Sequence, residues 1–145
     1  MRISRLAEAD RADWRQLVRA FHNHFNGELA DDVYDQTWLR LLDGAEIRGI
    51  AARLDGRIVG FAHYYFHTSV WSAGDSRCYL QDLFVDPETR RRGIARALID
   101  WVASDARQHG ATRLHWHTTE DNTTARALYD KLTTYKGYIA YGWKL

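Results

Sequence analysis

Several features that would point to particular protein classes are scarce or absent in this chain of 145 residues. Its one cysteine, Cys78, cannot form an internal disulfide and excludes a cysteine-based zinc cluster. No apolar run approaches the roughly 20 residues that a transmembrane helix needs, and the first residues lack the apolar segment of a signal peptide. We therefore predict a cytoplasmic protein with no membrane partner.

An excess of one charge sign is also missing. The chain has 20 basic and 19 acidic residues, a net charge of +1, whereas a general nucleic-acid-binding protein shows a basic excess or a basic face. Four arginines are nevertheless concentrated in the stretch VDPETRRRGIARAL, Val85–Leu98. This local charge indicates a small anionic ligand, and we predict no nucleic-acid partner.

The chain has one proline and no repeat, low-complexity tract or linker, which predicts a single domain over residues 1–145. Helical spacing of apolar residues predicts helices from Asp10 and from Asp31 or Asp32. Two alternating segments joined by Asp55-Gly56 predict a β-hairpin. With SVWSAGDS as a loop and GYIAYGWKL as the last strand, the order is β-α-α-β-β-β-α-β-α-β. It predicts an α+β fold whose sheet is antiparallel at first, with one right-handed strand–helix–strand unit near its end.

The segment Arg90–Arg96 has the pattern of an anion-binding turn. A strand that leads through a glycine loop into a helix exposes unpaired N–H groups, and the helix dipole also favours an anion there. Gly93 would let a phosphate approach the backbone, and Ala95 keeps the first turn narrow. Arginines at the positive end of a helix dipole are unfavourable without an anion. The pattern therefore favours phosphate binding over a solvated arginine cluster.

Residues 79–129 resemble the acetyl-CoA-binding core of the GNAT superfamily of N-acetyltransferases. The family signature R/Q-x-x-G-x-G/A falls on Arg90, Gly93 and Ala95. A downstream motif, N-x-x-A-x-x-x-Y, falls on Asn122, Ala125 and Tyr129. Within the family the chain looks closest to the diamine and polyamine acetyltransferases and the related yeast histone/polyamine-type enzymes. The resemblance implies the GNAT fold, a mixed, mostly antiparallel sheet of six to seven strands flanked by about four helices.

The resemblance also implies acetyl-CoA as the cosubstrate. The CoA pyrophosphate would lie on the N–H groups of the arginine–glycine turn. The pantetheine arm would lie between the strands LQDLFV and LHWHT, which splay apart in this fold. The implied binding residues are Leu83, Phe84, Val85, Arg90, Arg91, Arg92, Gly93, Ile94, Ala95, Arg96, Asn122, Ala125 and Tyr129. Two departures from the signature are small: Ala95 replaces the commoner glycine, and Arg92 replaces a glycine or small residue.

The motif position of Tyr129 implies that it protonates the departing CoA thiolate. A phenol with an ordinary pKa near 10 is protonated at neutral pH, as a proton donor must be. The alternative is a purely structural role for Tyr129, packed between its helix and the sheet. The family match favours the catalytic role.

The group that accepts the amine proton is less clearly marked. The family's strand motif resembles Y-L-E-D-x-F-V, against YLQDLFV here, so Gln81 stands at the glutamate position and can orient a water but cannot take a proton. We rank Asp82 first, on the opposite side of the strand from Gln81 by alternation. A water chain through Tyr79, His115 or His117 is the alternative. Asp82 could instead form an ion pair with a nearby arginine such as Arg77.

Acidic and aromatic residues in NGELADDVYDQTW suit a cationic amine, through ion pairing and cation–π contact. The predicted acceptor-binding residues are Glu28, Asp31, Asp32, Tyr34 and Tyr79. Asp31, Asp32 and Asp35 could equally cap a helix and compensate its dipole.

We predict direct acetyl transfer, in a ternary complex, to a primary amine of a small cationic or polyamine-like acceptor. The alternatives are a lysine side chain or N-terminus of a peptide, and a non-catalytic acyl-CoA sensor.

Two further predictions concern metals and assembly. His63 and His67 share a strand face, as do His115 and His117, but no acidic residue lies at ligand spacing beside them, so we predict no metal site. The aromatic C-terminal segment YKGYIAYGWKL could pair across a two-fold axis, which predicts that a homodimer can form.

Overall fold

The computed structural model describes the whole chain, Met1–Leu145. Five strands form one sheet, and four α-helices flank it. The strands are β1 (Arg2–Arg5), β2 (Arg48–Leu54), β3 (Arg57–Ser69), β4 (Ser72–Val85) and β5 (Arg113–His115). The helices are α1 (Arg11–Phe25), α2 (Asp31–Asp43), α3 (Ile94–His109) and α4 (Thr123–Leu132), with short 3-10 turns at Glu8–Asp10 and Pro87–Thr89. The predicted α+β class and the number of helices are confirmed.

The sheet has the order β1-β2-β3-β4-β5 and changes from antiparallel to parallel pairing at its last strand. The β2–β3 hairpin turns at Asp55-Gly56 as predicted. Both residues have positive φ, 50° and 78°, as a two-residue type I′ turn requires. The parallel pair closes the unit β4-α3-β5, since parallel neighbours need a long crossover connection. The predicted strand–helix–strand unit is therefore present.

Alternating side chains of β3 divide the core into two clusters, one on each face of the sheet. Phe61 packs in a cluster with Trp14 of α1 and Trp38 of α2. The next residue, Ala62, belongs to the opposite cluster, which includes Leu98 of α3. The first two helices therefore cover one face of the sheet, and α3 covers the other.

A buried carboxylate joins α3 to the sheet. Asp105 accepts hydrogen bonds from Tyr64 Oη at 2.6 Å and from Arg48 Nη1 at 2.9 Å. Burial, together with the Asp105 charge, raises the pKa of Tyr64, so the phenol stays a donor. This network holds α3, whose N-terminus follows the arginine–glycine turn, in one position on the sheet.

Two sequence predictions of strands and loops were wrong. The structure has five strands rather than six to seven, because GYIAYGWKL forms no strand and residues 133–145 are exposed. A strand forms only beside a neighbour that takes its backbone hydrogen bonds, and no strand of this chain pairs with the tail. The SVWSAGDS loop is instead a two-residue turn at Val70-Trp71, followed directly by β4.

The sequence did not reveal this turn because it lacks the usual glycine or asparagine. Hydrogen bonds made by the hydroxyls of Thr68 and Ser69 stabilise the turn instead. Thr68 Oγ1 donates to the Ser72 carbonyl at 3.1 Å, and Ser69 Oγ accepts from the Trp71 N–H at 3.2 Å.

Gly60 tests the contact between the sheet and α3. A methyl group at this position would lie 3.1 Å from the Phe84 carbonyl oxygen and 3.3 Å from side-chain carbons of Ile94 and Leu98. We expect Gly60→Ala to lower the free energy of unfolding by roughly 1–3 kcal/mol, because the backbone oxygen cannot yield. Urea denaturation measures this, with Gly142→Ala as the control, since Gly142 has open space around it. Equal stability of the two variants would contradict this close packing.

Candidate functional site

The edge of β4 that faces β5 is open over the second part of the strand. The parallel pairing of β5 covers only Arg77–Tyr79 of β4, ending at the pair Tyr79 and His115. Beyond this point β4 continues to Val85, and no strand pairs with it on the edge that faces β5. The predicted splay between the two strands is therefore present, and the β4 backbone from Leu80 to Val85 can bond an extended ligand.

The turn after β4 leads into α3 with a row of unpaired backbone N–H groups. Arg91 and Gly93 both have positive φ, 63° and 73°, and nothing lies within 4 Å of a Cβ placed on Gly93. The α3 N-terminus has no side-chain cap and no acidic residue in its first turn. The N–H groups of Ile94, Ala95 and Arg96 have no backbone acceptor. An anion can therefore reach several unpaired donors at the positive end of the helix dipole.

The four arginines near this turn have different environments. Arg90 Nε donates to the Val85 carbonyl at 3.3 Å, and its guanidinium lies 5.9 Å from the Phe84 ring centroid. Arg96 pairs with Asp100 at 3.0 Å. Arg91 and Arg92 are exposed and form no ion pair. Arg90, Arg91 and Arg92 thus carry positive charge that no carboxylate compensates, and Arg90 also fixes the turn to the end of β4.

Tyr129 lies on α4 at the wall of a large cavity. The cavity has a volume of about 950 Å³ and lies between β5, α4 and the C-terminal tail. The Tyr129 ring packs edge-on against Trp116, with 5.4 Å between the ring centroids. Burial raises the pKa of Tyr129, so the phenol is protonated at neutral pH and can donate a proton. At the start of the same helix, Asn122 Nδ2 donates to Thr118 Oγ1 at 3.1 Å, and Ala125 is half-buried.

A β-bulge in β4 sets the direction of the two polar residues in the middle of the strand. His63 of β3 pairs with Asp82, whereas the next residue, Tyr64, pairs with Leu80, so Gln81 is the extra residue. The bulge interrupts the alternation of side chains. Gln81 and Asp82 therefore line the same cavity, of about 150 Å³. The expectation that they face opposite sides was wrong, since it assumed an unbroken strand.

Asp82 is bonded to a histidine rather than to an arginine. His63 Nδ1 lies 2.9 Å from Asp82 Oδ2, and Trp14 Nε1 donates to His63 Nε2 at 3.0 Å. Arg77, the partner considered from the sequence, donates instead to the Ser76 carbonyl and to Thr112 Oγ1. Sequence reasoning treated His63 only as a metal ligand and missed this contact. The register of β3 against the bulged β4 would have been needed to find it.

The rest of the small cavity is aromatic and apolar. His22 Nδ1 lies 2.9 Å from Tyr34 Oη, which also accepts from the Leu29 N–H at 3.1 Å. Burial lowers the pKa of His22, although the nearby Asp82 charge opposes this effect. Phe21 completes this wall. The predicted residue Tyr34 therefore lies at the cavity, and Asp82 is its one carboxylate.

The other predicted acceptor-binding acids lie outside this cavity. Asp31 forms ion pairs with Arg15, at 3.1 Å, and with Arg19. Glu28 accepts a hydrogen bond from Asn23 at 2.9 Å, and Asp32 is exposed in the first turn of α2. Asp31 thus joins α1 to α2. An acceptor-binding role for Glu28, Asp31 and Asp32 stays a prediction.

Tyr79 belongs to a group of rings beside β5. Its ring stacks on His115, with 4.9 Å between centroids, and its Oη lies 2.9 Å from His117 Nδ1. His67 Nε2 lies 2.9 Å from His115 Nε2. Burial raises the pKa of Tyr79. The residues of the alternative water chain therefore contact one another, but its function stays a prediction.

No three His, Cys, Asp or Glu side chains are arranged to hold a metal ion. None of the helices is both long and apolar enough to cross a membrane.

Asp35 of α2 tests whether the acidic segment stabilises the protein. It pairs with Arg15 and, at 3.2 Å, with Arg11, and the Arg15 hydrogen bond holds the pKa of Asp35 below its ordinary value. A lowered pKa stabilises the fold above the unfolded value of about 3.9. We expect Asp35→Asn to lower the melting temperature at pH 7, and the difference from the original protein to shrink as pH falls below about 4 and to vanish only below the lowered pKa of the folded state. Calorimetry at several pH values measures this, and an unchanged difference at pH 3 would contradict it.

Comparison with known proteins agrees with this geometry. The sequence pattern of the Acetyltransferase (GNAT) family matches residues 9–133. The D-amino-acid N-acetyltransferase HPA3 of Saccharomyces cerevisiae is 27% identical over 142 residues, 96% of this chain and 88% of that protein. The thialysine N-epsilon-acetyltransferase of Caenorhabditis elegans is 29% identical over 102 residues, which are 70% of this chain and 62% of that protein.

A solved structure shows the same fold. It is that of AAC(6′)-Iy in complex with the bisubstrate analogue CoA-S-monomethyl-acetylneamine, with a TM-score of 0.83 and 20% identity, covering 99% of this chain and 97% of that one. The family pattern extends over most of the sheet, the arginine–glycine turn and the helix of Tyr129. The chain therefore belongs to the Acetyltransferase (GNAT) family, and it is an N-acetyltransferase whose cosubstrate is acetyl-CoA.

Proposed function

We propose that this enzyme transfers the acetyl group of acetyl-CoA directly to a primary amine of a small cationic acceptor, with both substrates bound at once. The observation that carries the proposal is the single carboxylate of Asp82 in a small aromatic cavity, beside the open edge of β4. An ammonium ion suits such a cavity, through its charge and through contact with aromatic faces.

The residues present fit acetyl-CoA. The unpaired N–H groups at the start of α3, with the exposed Arg91 and Arg92, would bind the pyrophosphate. The open edge of β4 at Leu83–Val85 would bond the pantetheine arm as a strand would, with Asn122 and Ala125 of α4 on its other side. The cosubstrate supplies an activated acetyl group as a thioester.

Asp82 is the proposed proton acceptor. An alkylammonium ion with a pKa near 10.4 costs about 4.6 kcal/mol to deprotonate at pH 7, so the amine needs a base beside it. Asp82 is held in position by His63 and keeps further lone pairs for the amine. Gln81, beside it in the same cavity, would hold the amine or a water by hydrogen bonds.

Tyr129 is the proposed acid. As the amine nitrogen bonds to the acetyl carbon, the carbon–sulfur bond breaks and the thiolate needs a proton, which the phenol donates. A cysteine acyl-enzyme is not supported by the structure. Cys78 is fully buried in the core, and burial raises its pKa to about 12, so it is neither accessible nor ionised. Direct transfer needs no such nucleophile.

The relatives support an amine acceptor without naming this one. Their names describe transfer to the nitrogen of a D-amino acid and to the ε-nitrogen of thialysine, and the neighbouring structure holds an acetylneamine analogue. A small cavity of about 150 Å³ fits the end of a small amine. A peptide lysine or N-terminus and a non-catalytic acyl-CoA sensor remain the two rival functions. A cytoplasmic location stays a prediction from the sequence.

The first test is CoA release from acetyl-CoA with putrescine, spermidine, lysine, an aminoglycoside and a lysine-containing peptide. We expect turnover with a small amine, and a loss of about 10²-fold or more in kcat for Tyr129→Phe and Asp82→Asn, the range typical of acid–base catalysis. Binding of acetyl-CoA, measured by calorimetry, should change little in either variant.

Asp13→Asn is the matched control for Asp82→Asn, because Asp13 is exposed and lies outside the cavities. Wild-type rates in Tyr129→Phe or Asp82→Asn would overturn the assigned roles. Tight acetyl-CoA binding without turnover on any amine would support the sensor, and turnover on the peptide alone would support the peptide enzyme.

We also propose that the enzyme forms a homodimer through its C-terminal tail. The tail exposes Tyr138, Ile139, Tyr141 and Trp143, more apolar surface than an unpartnered segment usually shows. The large cavity beside β5 is lined partly by the start of this tail, and the outer edge of β5 has no strand beside it. The tail of a second copy would cover both.

The dimer is tested on the full-length chain by light scattering after gel filtration. We expect a dimer for the original protein and a monomer for Ile139→Asp, because a buried carboxylate opposes association. Leu39→Asp is the control, since Leu39 is equally apolar and exposed on α2 but lies far from the tail in sequence. A monomeric original protein at micromolar concentration would refute the proposal.

A further inference from the structure

Three side chains from three elements form one hydrogen-bonded chain that ends in the small cavity. Trp14 of α1 donates to His63 of β3, and His63 contacts Asp82 of β4. Trp14 is 1% exposed, and His63 is packed between the indole and the ring of Phe61, whose centroid lies 4.6 Å away. Both side chains also line the small cavity, but neither is the proposed proton acceptor or proton donor.

The direction of each hydrogen bond follows from what an indole can do. The Trp14 Nε1–H is a donor only, so His63 Nε2 must present a lone pair. In a neutral imidazole the other nitrogen then carries the hydrogen, and His63 Nδ1–H donates to Asp82 Oδ2. This assignment gives a partner to Trp14 Nε1, to both ring nitrogens of His63 and to Asp82 Oδ2.

A second proton on His63 would break this arrangement. It would sit on Nε2 and face the Trp14 N–H across 3.0 Å, leaving two donors opposed and one buried donor without an acceptor. An unpaired buried polar group costs about 1–3 kcal/mol. Trp14 therefore opposes the formation of an imidazolium beside Asp82.

We infer that Trp14 and His63 are positioning residues that hold Asp82 in place and keep the acceptor cavity negatively charged. Asp82 is the one carboxylate of the cavity, and an imidazolium at His63 would cancel its charge and repel an ammonium acceptor. The titratable groups that face His63 are Asp82 from β4 and His22 from α1. The inference rests on the proposed function of Asp82 and explains why a histidine can lie beside it.

The inference predicts that Trp14→Phe introduces a new pH dependence. Without the indole N–H, no donor faces His63 Nε2, so the imidazole can take a second proton there as the pH falls. The measured quantity is the ratio of the KM for the amine in the variant to that in the original protein. We expect this ratio to rise severalfold between pH 7.5 and pH 5.5, because an imidazolium cancels the charge of Asp82. His22 is present in both proteins, so its effect on the KM cancels in the ratio.

His63→Asn separates charge from packing. Its amide nitrogen can still donate to Asp82 but cannot become charged. We expect the variant Trp14→Phe/His63→Asn to lose the pH-dependent rise in KM that Trp14→Phe shows. A rise that persists in the double variant would assign the effect to damaged packing at Trp14 and overturn the inference.

Nitrogen NMR of the His63 ring tests the same inference without any activity. In the original protein we expect a neutral ring, protonated at Nδ1, from pH 8 to pH 5.5, and a protonated ring at pH 5.5 in Trp14→Phe. A ring protonated at Nε2, or an imidazolium at pH 5.5, in the original protein overturns the inference even if Trp14→Phe fails to fold. Turnover absent on every amine, with the neutral ring intact, would instead refute the proposed function alone.

Discussion

The β-bulge at Gln81 is the constraint on which the site depends. A strand without it would direct Asp82 and Gln81 to opposite faces, and the cavity would hold only one of them. The bulge brings both side chains to the face covered by α1 and α2 and sets Asp82 opposite His63. Bulges bend a strand and strengthen its twist. Here the bulge also follows the last β5 pair on β4, so the small cavity lies next to the start of the open strand edge.

The helices serve this arrangement in different ways. α3 is fixed to the sheet by Asp105 and by close packing at Gly60, which holds its exposed N–H groups at the end of β4. α1 supplies Trp14 and His22 to the cavity and is joined to α2 by arginine–aspartate pairs. α4 places Tyr129 at the wall of the large cavity. Rigid elements with their own polar contacts thus hold each functional group, as a precise site requires.

Charge is used locally in a chain that is almost neutral overall. Arg96 is paired with Asp100, whereas Arg90 bonds only a backbone carbonyl, so three of the four clustered arginines keep a positive charge that no carboxylate compensates. The acids of the α1–α2 segment show the same division, since Asp31 and Asp35 compensate arginines of α1. Asp82 is the one carboxylate of the small cavity, and its side-chain partner is His63 rather than an arginine.

The amino-acid sequence by itself determined the family, the element order up to α4, the arginine–glycine turn before α3 and the place of Tyr129 on α4, because these depend on short motifs and local periodicity. Only the tertiary structure decided what depends on register and on partners distant in the chain. The bulge, the Trp14–His63–Asp82 contacts and the arginine pairs of Asp31 join residues that are 12 to 49 positions apart, and no local pattern specifies such pairs. Only the tertiary structure could likewise show that the C-terminal tail forms no strand, because a strand forms only where another strand lies beside it.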